Sequence, residues 1–248
     1  MKSGPVAGLA AGTLLLAGMA HAAEIKVMAS AAIKEAYLEL VPQFERASGH
    51  KVATEWVPTV DILSRIKGGD TVDLVIMVST SIDDLIKLGK LAAGSRVDLV
   101  KSGVGVAVRA GAPRPDISSA ESLKRALLAA KSITYSTGPS GVYLVGLFQR
   151  MGIADELKPK IKQVKGEPIG AVVARGDAEI GFQQISELLP VAGIDFVGPL
   201  PAEIQQTSVF AAGVHSAAKE PDAARALVKF IIAPAAVPVI RKRGLEPG

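Results

Sequence analysis

The stretch EIKVMASAAIKEAYLELVPQFERASGHKVATEWVPTVDILSRIKGGDTVDLVIMVSTSIDDLIKL, residues 24–88, decides the fold. Three times, a short run of strand-forming residues is followed by apolar residues at helical spacing; the runs begin at Glu24, Lys51 and Asp73. Strands separated by helices pair in parallel, because each helix returns the chain to the edge where the strand began. The stretch therefore predicts three strand–helix units on a parallel sheet.

Strand and helix signals continue to alternate up to the end of the chain. Strands are predicted at residues 103–109, 132–136 and 208–214, and helices from residue 118 or 119 and at 140–150, 222–232 and 235–243. Residues 161–165, 169–175, 180–183 and 194–197 carry the same alternation. The sequence therefore predicts an α/β fold with mostly parallel sheets, in which ligands bind at the carboxyl ends of the strands.

The first 22 residues have the pattern of a secretory signal peptide. Lys2 supplies a positive start, residues 5–20 form an apolar run, and Ala20-His21-Ala22 matches the small residues that signal peptidase requires. We expect cleavage after Ala22 and a mature protein in the periplasm. No later segment reaches the roughly 18 uncharged apolar residues of a membrane span.

Composition argues against several classes of function. The chain has 28 basic and 24 acidic residues without a long basic run, and only 4% aromatic residues, which disfavours nucleic-acid binding. It has no cysteine, so thiol catalysis and iron–sulfur clusters are excluded. Beyond the signal peptide only His50 and His215 occur, and they are not spaced as paired metal ligands. We expect a monomer without a metal or another cofactor.

Two classes of hydrolase are also disfavoured. The chain has no Gly-x-Ser-x-Gly motif of the kind that presents a nucleophilic serine, and few histidines that could act as its base. Glycosidase clefts usually rely on aromatic platforms, which are scarce here. Hydrolysis is therefore a poor explanation of this sequence.

The clearest candidate binding segment is Ser136-Thr-Gly-Pro-Ser-Gly141, between a predicted strand and a predicted helix. Backbone N–H groups, hydroxyls and the positive end of a helix meet at such a junction, so an anion can bind there without a metal. Alternatively, Ser140 only caps the helix and Gly138-Pro139 only turns the chain. The segment is neither a Walker loop nor a dinucleotide-binding fingerprint.

Other polar residues also follow predicted strands. Ser30 and Thr59 come after the first and second strands, where they either point into a cleft or cap a helix. Gln183 and Gln184 follow a later strand, and their amides either orient a bound carboxylate or bond the loop backbone. For this pair we favour a ligand role for one of the two.

Two further groups are expected to have structural roles. Residues 79–81 follow the third strand, and capping of the next helix is favoured for them. Arg65 and Arg109 are the arginines nearest to predicted strand ends, and an arginine fork matches a carboxylate. Arg175 is expected at an exposed helix terminus. For each arginine we favour a solvated surface position.

Four motifs together resemble the periplasmic molybdate-type, or type II, solute-binding proteins. They are Ile25-Lys-Val-Met-Ala-Ser30, Val72-Asp-Leu-Val-Ile76, Tyr135-Ser-Thr-Gly-Pro-Ser-Gly-Val-Tyr143 and Val173-Ala-Arg-Gly-Asp-Ala-Glu-Ile-Gly-Phe182. The resemblance implies two α/β lobes that hold a ligand between them and are joined by crossover strands near residues 104–110 and 207–212. Lobe 1 would comprise residues 23–104 and 209–248, and lobe 2 residues 105–208.

The resemblance also implies where the pocket differs from that of the family. The family places a serine at the start of the first helix, where this chain has Ala32, and a late pocket tyrosine is replaced by Gln184. A second pocket serine falls near Thr59. The implied ligand is a small anion, and an organic carboxylate more than molybdate. The candidate ligand-binding residues are Ser30, Thr59, Ser136, Ser140, Gly141, Tyr143 and Gln184.

A subgroup with Tyr-Ser, Ser-Gly-Val-Tyr and Gly-Phe-Gln-Gln stretches is similar to the aconitate isomerases, which move a double bond in a tricarboxylate without a cofactor. That reaction needs a general base, for which Tyr143, Glu187 or a histidine is available. Three functions stay open: delivery of an organic anion to the permease of an ABC transporter, isomerisation, and ordinary molybdate or tungstate binding. We favour delivery, because most chains of this architecture bind without turnover.

Overall fold

A computed structural model describes residues 22–248. The predicted signal peptide, residues 1–22, lies outside the described residues except for Ala22. The strands are β1 Glu24–Ala29, β2 Lys51–Trp56, β3 Leu74–Val78, β4 Val97–Arg109, β5 Ile133–Ser136, β6 Ile161–Val164, β7 Ile180–Gln184, β8 Ile194–Pro199, β9 Thr207–Val214 and β10 Glu246–Pro247. The helices are α1 Lys34–Ser48, α2 Thr59–Gly68, α3 Ser79–Lys87, α4 Ala120–Ala129, α5 Pro139–Arg150, α6 Ala154–Leu157, α7 Ile169–Ala174, α8 Ile185–Leu188, α9 Pro221–Ile231 and α10 Val237–Lys242.

The predicted α/β fold is confirmed, and its strands form a mixed sheet. Strands follow the order β2-β1-β3-β9-β4-β7-β5-β6, with β8 and β10 paired to β4. The pairs β1·β2, β1·β3, β5·β6 and β5·β7 are parallel, as the strand–helix alternation predicts. Strands β4 and β9 pair with their neighbours antiparallel. We call the part around β1, β2, β3 and β9 lobe 1, and the part around β5, β6 and β7 lobe 2.

Strand β4 passes from one lobe into the other. Its first half, Val97 to Gly103, pairs with β9 in lobe 1, and its second half, from Val104, pairs with β7 and β8 in lobe 2. A change of backbone angles near Gly103 would therefore move one lobe against the other. The residue limits given above for the two lobes stay predictions.

Each lobe has its own hydrophobic core, which explains why both halves are compact without disulfides. In lobe 1, Leu74 and Ile76 of β3 pack with Leu40 and Phe44 of α1 and with α9. In lobe 2, Tyr135, Phe148 and Phe182 form a chain of edge-to-face aromatic contacts at the centre of a second cluster.

At the cleft between the lobes, several strands lead directly into helices. Strands β3 and β7 continue into α3 and α8 without an intervening loop, and β5 is separated from α5 by two residues. Carboxyl ends of parallel strands and amino ends of helices consequently line the same cleft. Within residues 22–248 no single helix is long and apolar enough to cross a membrane, although the bent pair Pro221–Ile231 and Pro234–Lys242 passes on length and composition alone.

Candidate functional site

A cavity of about 210 Å³ lies between the two lobes, and we call it the first chamber. Lobe 1 contributes its walls through the start of the turn after β1 and through the loop from β2 to α2. Lobe 2 contributes the loop from β5 to α5, the loop from β6 to α7, and the end of β7 with α8. The lining residues are Ser30, Ala31, Trp56, Val57, Pro58, Thr59, Ser136, Thr137, Gly138, Pro139, Ser140, Gly166, Glu167, Pro168, Gln183 and Glu187.

Helix amino termini provide the first chamber with backbone N–H donors. Helices α2 and α5 both begin at its wall, and the first N–H groups of a helix have no acceptor inside the helix. In α5 the N–H of Val142 donates to the carbonyl of Gly138 at 3.0 Å, so Ser140 and Gly141 precede the first internal bond. None of the described lining residues is a lysine, arginine or histidine. An anion in the chamber would therefore be held by helix ends and hydroxyls.

Ser30 and Thr59 line the chamber, but they differ in what their hydroxyls do. The Ser30 hydroxyl accepts from the N–H of Ala32 at 3.5 Å and so caps the short turn after β1. Thr59 is the first residue of α2, and its Oγ1 is buried without a hydrogen-bond partner in the described part of the chain. An unpaired buried hydroxyl costs about 1–3 kcal/mol, so Thr59 is poised for a partner that a ligand can supply.

The segment 136–141 forms the opposite wall, and its serines do not cap α5. The helix begins after Gly138, and the Ser136 hydroxyl accepts from the Gly138 N–H at 3.2 Å. Ser140 lies in the first turn and is buried. Gly141 packs against β5 so closely that a Cβ there would lie 1.7 Å from the Ser136 carbonyl oxygen. Glycine at 141 therefore allows the start of α5 to reach the chamber.

Glu187 brings an ionisable carboxyl to the chamber. Gln183 Nε2 donates to Glu187 Oε1 at 2.9 Å, and Gln183 Oε1 accepts from the N–H of Ile169 at 2.9 Å. Withdrawal from water raises the pKa of the Glu187 carboxyl to about 7, while the bond from Gln183 favours the charged form and opposes the rise. The preceding Ser186 donates to the carbonyl of Ala32 at 2.7 Å, so α8 touches both lobes.

Tyr143 lines a neighbouring cavity, which we call the second chamber. It has a volume of about 440 Å³ and shares Thr59, Thr137, Gly138 and Pro139 with the first. The Tyr143 hydroxyl donates to the carbonyl of Ile204 at 2.5 Å. Residues 79–81 also line this chamber; they form the first turn of α3 and do not cap it, contrary to the expectation from sequence.

Gln184 lies outside the described linings of both chambers. It is buried, and with its amide nitrogen facing the backbone it donates to the carbonyls of Ser102 and Gly103 at 3.0 and 3.1 Å, while its oxygen accepts from Ser208 Oγ at 3.2 Å. These bonds tie β7 to β4 and β9 where the strands pass between the lobes. Of the two glutamines, Gln183 is the one at the cavity.

An ion pair joins the lobes beside the first chamber. Lys165, between β6 and α7, lies 2.8 Å from the carboxylate of Asp61 on α2. The adjacent Glu167 lines the chamber and is held at 2.5 Å by Arg175, whose guanidinium keeps the pKa of the Glu167 carboxyl below its usual range. Residues 165–168, which we call the strap, are thereby fixed to lobe 2 and joined to lobe 1.

The arginines lie on the surface, as expected from the sequence. Arg65 pairs with Glu55 and Asp70, and Arg175 bonds Asp177 in addition to Glu167. Arg109 lines a separate cavity in lobe 2. Within residues 22–248, no group of three or more histidine, aspartate or glutamate side chains is placed to hold a metal ion.

Comparison with known proteins decides the family. The family model of bacterial extracellular solute-binding proteins matches residues 25–246. The chain belongs to this family. The aconitate isomerase of Pseudomonas sp. is 39% identical over 250 aligned positions, which cover 96% of this chain and 95% of the relative. The molybdate-binding protein ModA of Azotobacter vinelandii is 31% identical over 249 positions, with 95% of each chain covered.

The solved structures agree with the fold of this solute-binding protein. The Azotobacter vinelandii periplasmic molybdate-binding protein superposes with a TM-score of 0.75 at 20% identity, covering 90% of this chain and 99% of that one. At this identity the likeness shows the fold alone. The resemblance to molybdate-type binding proteins that the motifs predicted is confirmed.

Sequence reasoning left several chamber residues of this solute-binding protein unassigned. Trp56, at the end of β2, and Glu167, in the strap, were not singled out as candidates, and Glu187 was named as one of several bases without a position. The sequence indicated Glu187 only weakly, because this residue lies four positions after Gln183, beyond the end of a buried strand. Only the packing of α8 between the lobes shows that its carboxyl reaches the cavity.

Proposed function

We propose that this solute-binding protein holds an unsaturated polycarboxylate, of the aconitate type, in the first chamber and moves its double bond by proton transfer. Glu187 carries the proposal. Its carboxyl lines the cavity, and its pKa of about 7 lets it both take and return a proton near neutral pH. The 39% identity to a protein named aconitate isomerase supports the same substrate class.

Two carboxyls in one cavity with opposite pKa shifts indicate a division of roles. The pKa of Glu187 is raised by removal from water, whereas that of Glu167 is lowered by Arg175. Acid–base sites commonly hold titratable groups whose pKa values are pushed apart, although the ion pair with Arg175 by itself accounts for the shift of Glu167. A ligand that is only carried needs no exchangeable proton beside it. Glu187 is therefore better explained by catalysis than by simple anion capture.

The proposed reaction needs only the residues of this chain. Glu187 removes a proton from the CH₂ group that lies between a carboxylate and the double bond. The C–H electron pair forms a new double bond with the neighbouring carbon, and the electron pair of the original double bond moves to the far alkene carbon. The resulting allylic carbanion is stabilised by the substrate carboxylates. Return of the proton to the far alkene carbon completes the shift, so no atom or electron is gained or lost. The helix starts at Thr59 and Ser140 would hold the anionic groups.

Turnover is tested with purified mature protein and either cis- or trans-aconitate in D₂O, followed by proton NMR. We expect each isomer to be converted to the same equilibrium mixture, with deuterium entering the carbon that receives the proton, because Glu187 exchanges with solvent. Heat-denatured protein serves as the control. Unchanged spectra with correctly folded protein would reject isomerisation.

Ligand selectivity gives a second expected result. The family resemblance implies a pocket with hydroxyl side chains at two positions where this chain has Ala32 and Gln184. Neither residue has a hydroxyl, and the Gln184 amide bonds the strands that pass between the lobes. Each lost hydrogen bond is worth about 0.5–1.5 kcal/mol, so two losses weaken molybdate binding by roughly tenfold or more. Calorimetric titration should show tighter binding of a tricarboxylate than of molybdate. Tight molybdate binding without a response to carboxylates would reject the proposed ligand class and favour ordinary molybdate binding.

A second candidate function is delivery of the same class of anion to an ABC transporter permease. Membership in a family of extracellular solute-binding proteins favours it. Both functions place the mature protein in the periplasm after removal of residues 1–22. Tight carboxylate binding without isomerisation in the NMR experiment would favour delivery.

A further inference from the structure

We infer that Gln183 is a positioning residue for Glu187: it holds one carboxyl oxygen and thereby directs the exchangeable proton to the other. The inference rests on the proposed role of Glu187 as the base and adds a second residue to that site. Gln183 is buried at the end of β7, and both ends of its amide are engaged.

Hydrogen-bond polarity fixes the arrangement. The N–H of Ile169 can only donate, so the atom of Gln183 that faces it at 2.9 Å must be the amide oxygen. The amide nitrogen consequently faces Glu187 and donates to Oε1 at 2.9 Å. In a neutral carboxyl the carbonyl oxygen is a stronger hydrogen-bond acceptor than the hydroxyl oxygen, so the N–H of Gln183 favours Oε1 as the carbonyl oxygen. Oε2 is therefore the oxygen that carries the proton when Glu187 is neutral and receives it during the reaction.

The backbone donor ties this arrangement to the strap. Ile169 is the first residue of α7 and follows Pro168, the last residue of the strap. Lys165 in the strap contacts Asp61 across the cleft. A continuous set of contacts therefore runs from lobe 1 through the strap and Gln183 to the carboxyl that is proposed to take the proton.

Other charges around the first chamber are already engaged, so Gln183 is the polar group that acts directly on Glu187. Each of these charged side chains has a partner: Glu167 is held by Arg175, Lys165 by Asp61, and Lys34 lies 5.8 Å from the ring centre of Trp56. On α1, which packs against α8, Glu39 is paired with Arg243.

Two substitutions separate the functions of the Gln183 amide. Gln183→Glu keeps an oxygen to accept from Ile169 but replaces the donor with a second carboxylate, and Gln183→Met removes both bonds. Gln163→Met, on the exposed side of β6, is the matched control. Proteins with ¹³C-labelled glutamate carboxyls are titrated without ligand by NMR, and Glu187→Gln assigns the Glu187 signal.

We expect the pH midpoint of the Glu187 titration to rise in both Gln183 variants and to stay unchanged in Gln163→Met. Loss of one hydrogen bond to a charged group raises it by about one to two pH units, a ten- to hundredfold change in the ionisation constant. The pH profile of kcat/KM should move by the same amount, with kcat reduced more than KM is changed. An unchanged midpoint in both variants would overturn the inference.

The titration also separates this inference from the proposed function, since it needs no turnover. A shifted midpoint in a protein that isomerises no aconitate would keep Gln183 as the residue that positions Glu187 and reject the catalytic use of Glu187. Gln183→Glu retains the bond to Ile169, so it provides a folded variant even where Gln183→Met unfolds.

Discussion

Replacing Glu187 by glutamine should lower kcat on aconitate by roughly 10²–10⁴, the usual contribution of a positioned general base. Glutamine keeps the shape of the side chain and an oxygen that accepts from Gln183, but it cannot take a proton. Substrate binding should persist in this variant, because the helix starts at Thr59 and Ser140 are untouched. Steady-state kinetics and calorimetry on the same preparation measure the two effects, with the exposed Glu156→Gln as the control.

The same substitution should stabilise the protein at alkaline pH. The folded pKa of Glu187, about 7, lies above its ordinary value of 4.5, so the folded state binds more protons than the unfolded state between these values. Wild-type stability from this group is fully present below pH 4.5 and is lost as pH rises through 7. Glu187→Gln avoids that loss, which amounts to roughly 3 kcal/mol at most. Urea unfolding at pH 5 and pH 8 should show a gain mainly at pH 8; a destabilised variant at pH 8 would contradict the assigned shift.

Gly141→Ala should damage both folding and ligand binding. The added Cβ would lie 1.7 Å from the Ser136 carbonyl oxygen, and this neighbour is backbone that cannot rotate away. The start of α5 must move from β5, at a cost of about 1–3 kcal/mol or more. Because the same turn forms a wall of the first chamber, we also expect a loss of carboxylate affinity.

Gly146→Ala provides the matched comparison on the same helix. Its Cβ would meet only the end of the flexible Arg150 side chain, at 3.2 Å. Alanine is a better helix former than glycine by about 0.5–1 kcal/mol, so this variant should be as stable as the wild type or more so. Thermal unfolding and calorimetry on both proteins test the pair. Equal behaviour of the two variants would show that close packing at Gly141 is unimportant.

The parallel strands of each lobe could be predicted because their residues follow simple rules of spacing. Residues 24–88 repeat strand and helix periodicity, and the structure confirms three strand–helix units there. Strand β4 was predicted only from Gly103, although it begins at Val97. Asp98 and Lys101 interrupt the apolar pattern, since the first half of this strand has a partly exposed face.

Candidate residues of the chamber could be predicted from the sequence where their position depends only on following the end of a strand. Ser30 and Thr59 come together because the carboxyl ends of the parallel strands β1 and β2 meet at one edge of lobe 1, and Ser136 and Ser140 follow the parallel strand β5 on the facing edge of lobe 2. The choice between Gln183 and Gln184 was open, since alternate residues of a strand face opposite sides and the sequence does not state which side is the cleft.

Glu187 illustrates what the sequence could not provide. A glutamate on a short helix is usually a solvated surface residue. Its raised pKa results from removal from water by elements far apart in sequence, namely β7, the strap and the turn at Ala32. Such an environment exists only after the two lobes have been assembled.

The contact between Lys165 and Asp61 has a consequence for how long a bound molecule stays. The two side chains are 59% and 35% exposed, and ion pairs of this kind contribute at most about 1 kcal/mol, a bias of about fivefold. This ion pair therefore adds little to the free energy that holds the lobes together, and release of a bound molecule would depend mainly on its own contacts with the chamber walls. A catalyst benefits from this arrangement, because each round of product departure requires the lobes to separate again, and a strong lock would make that separation the slowest event of the cycle.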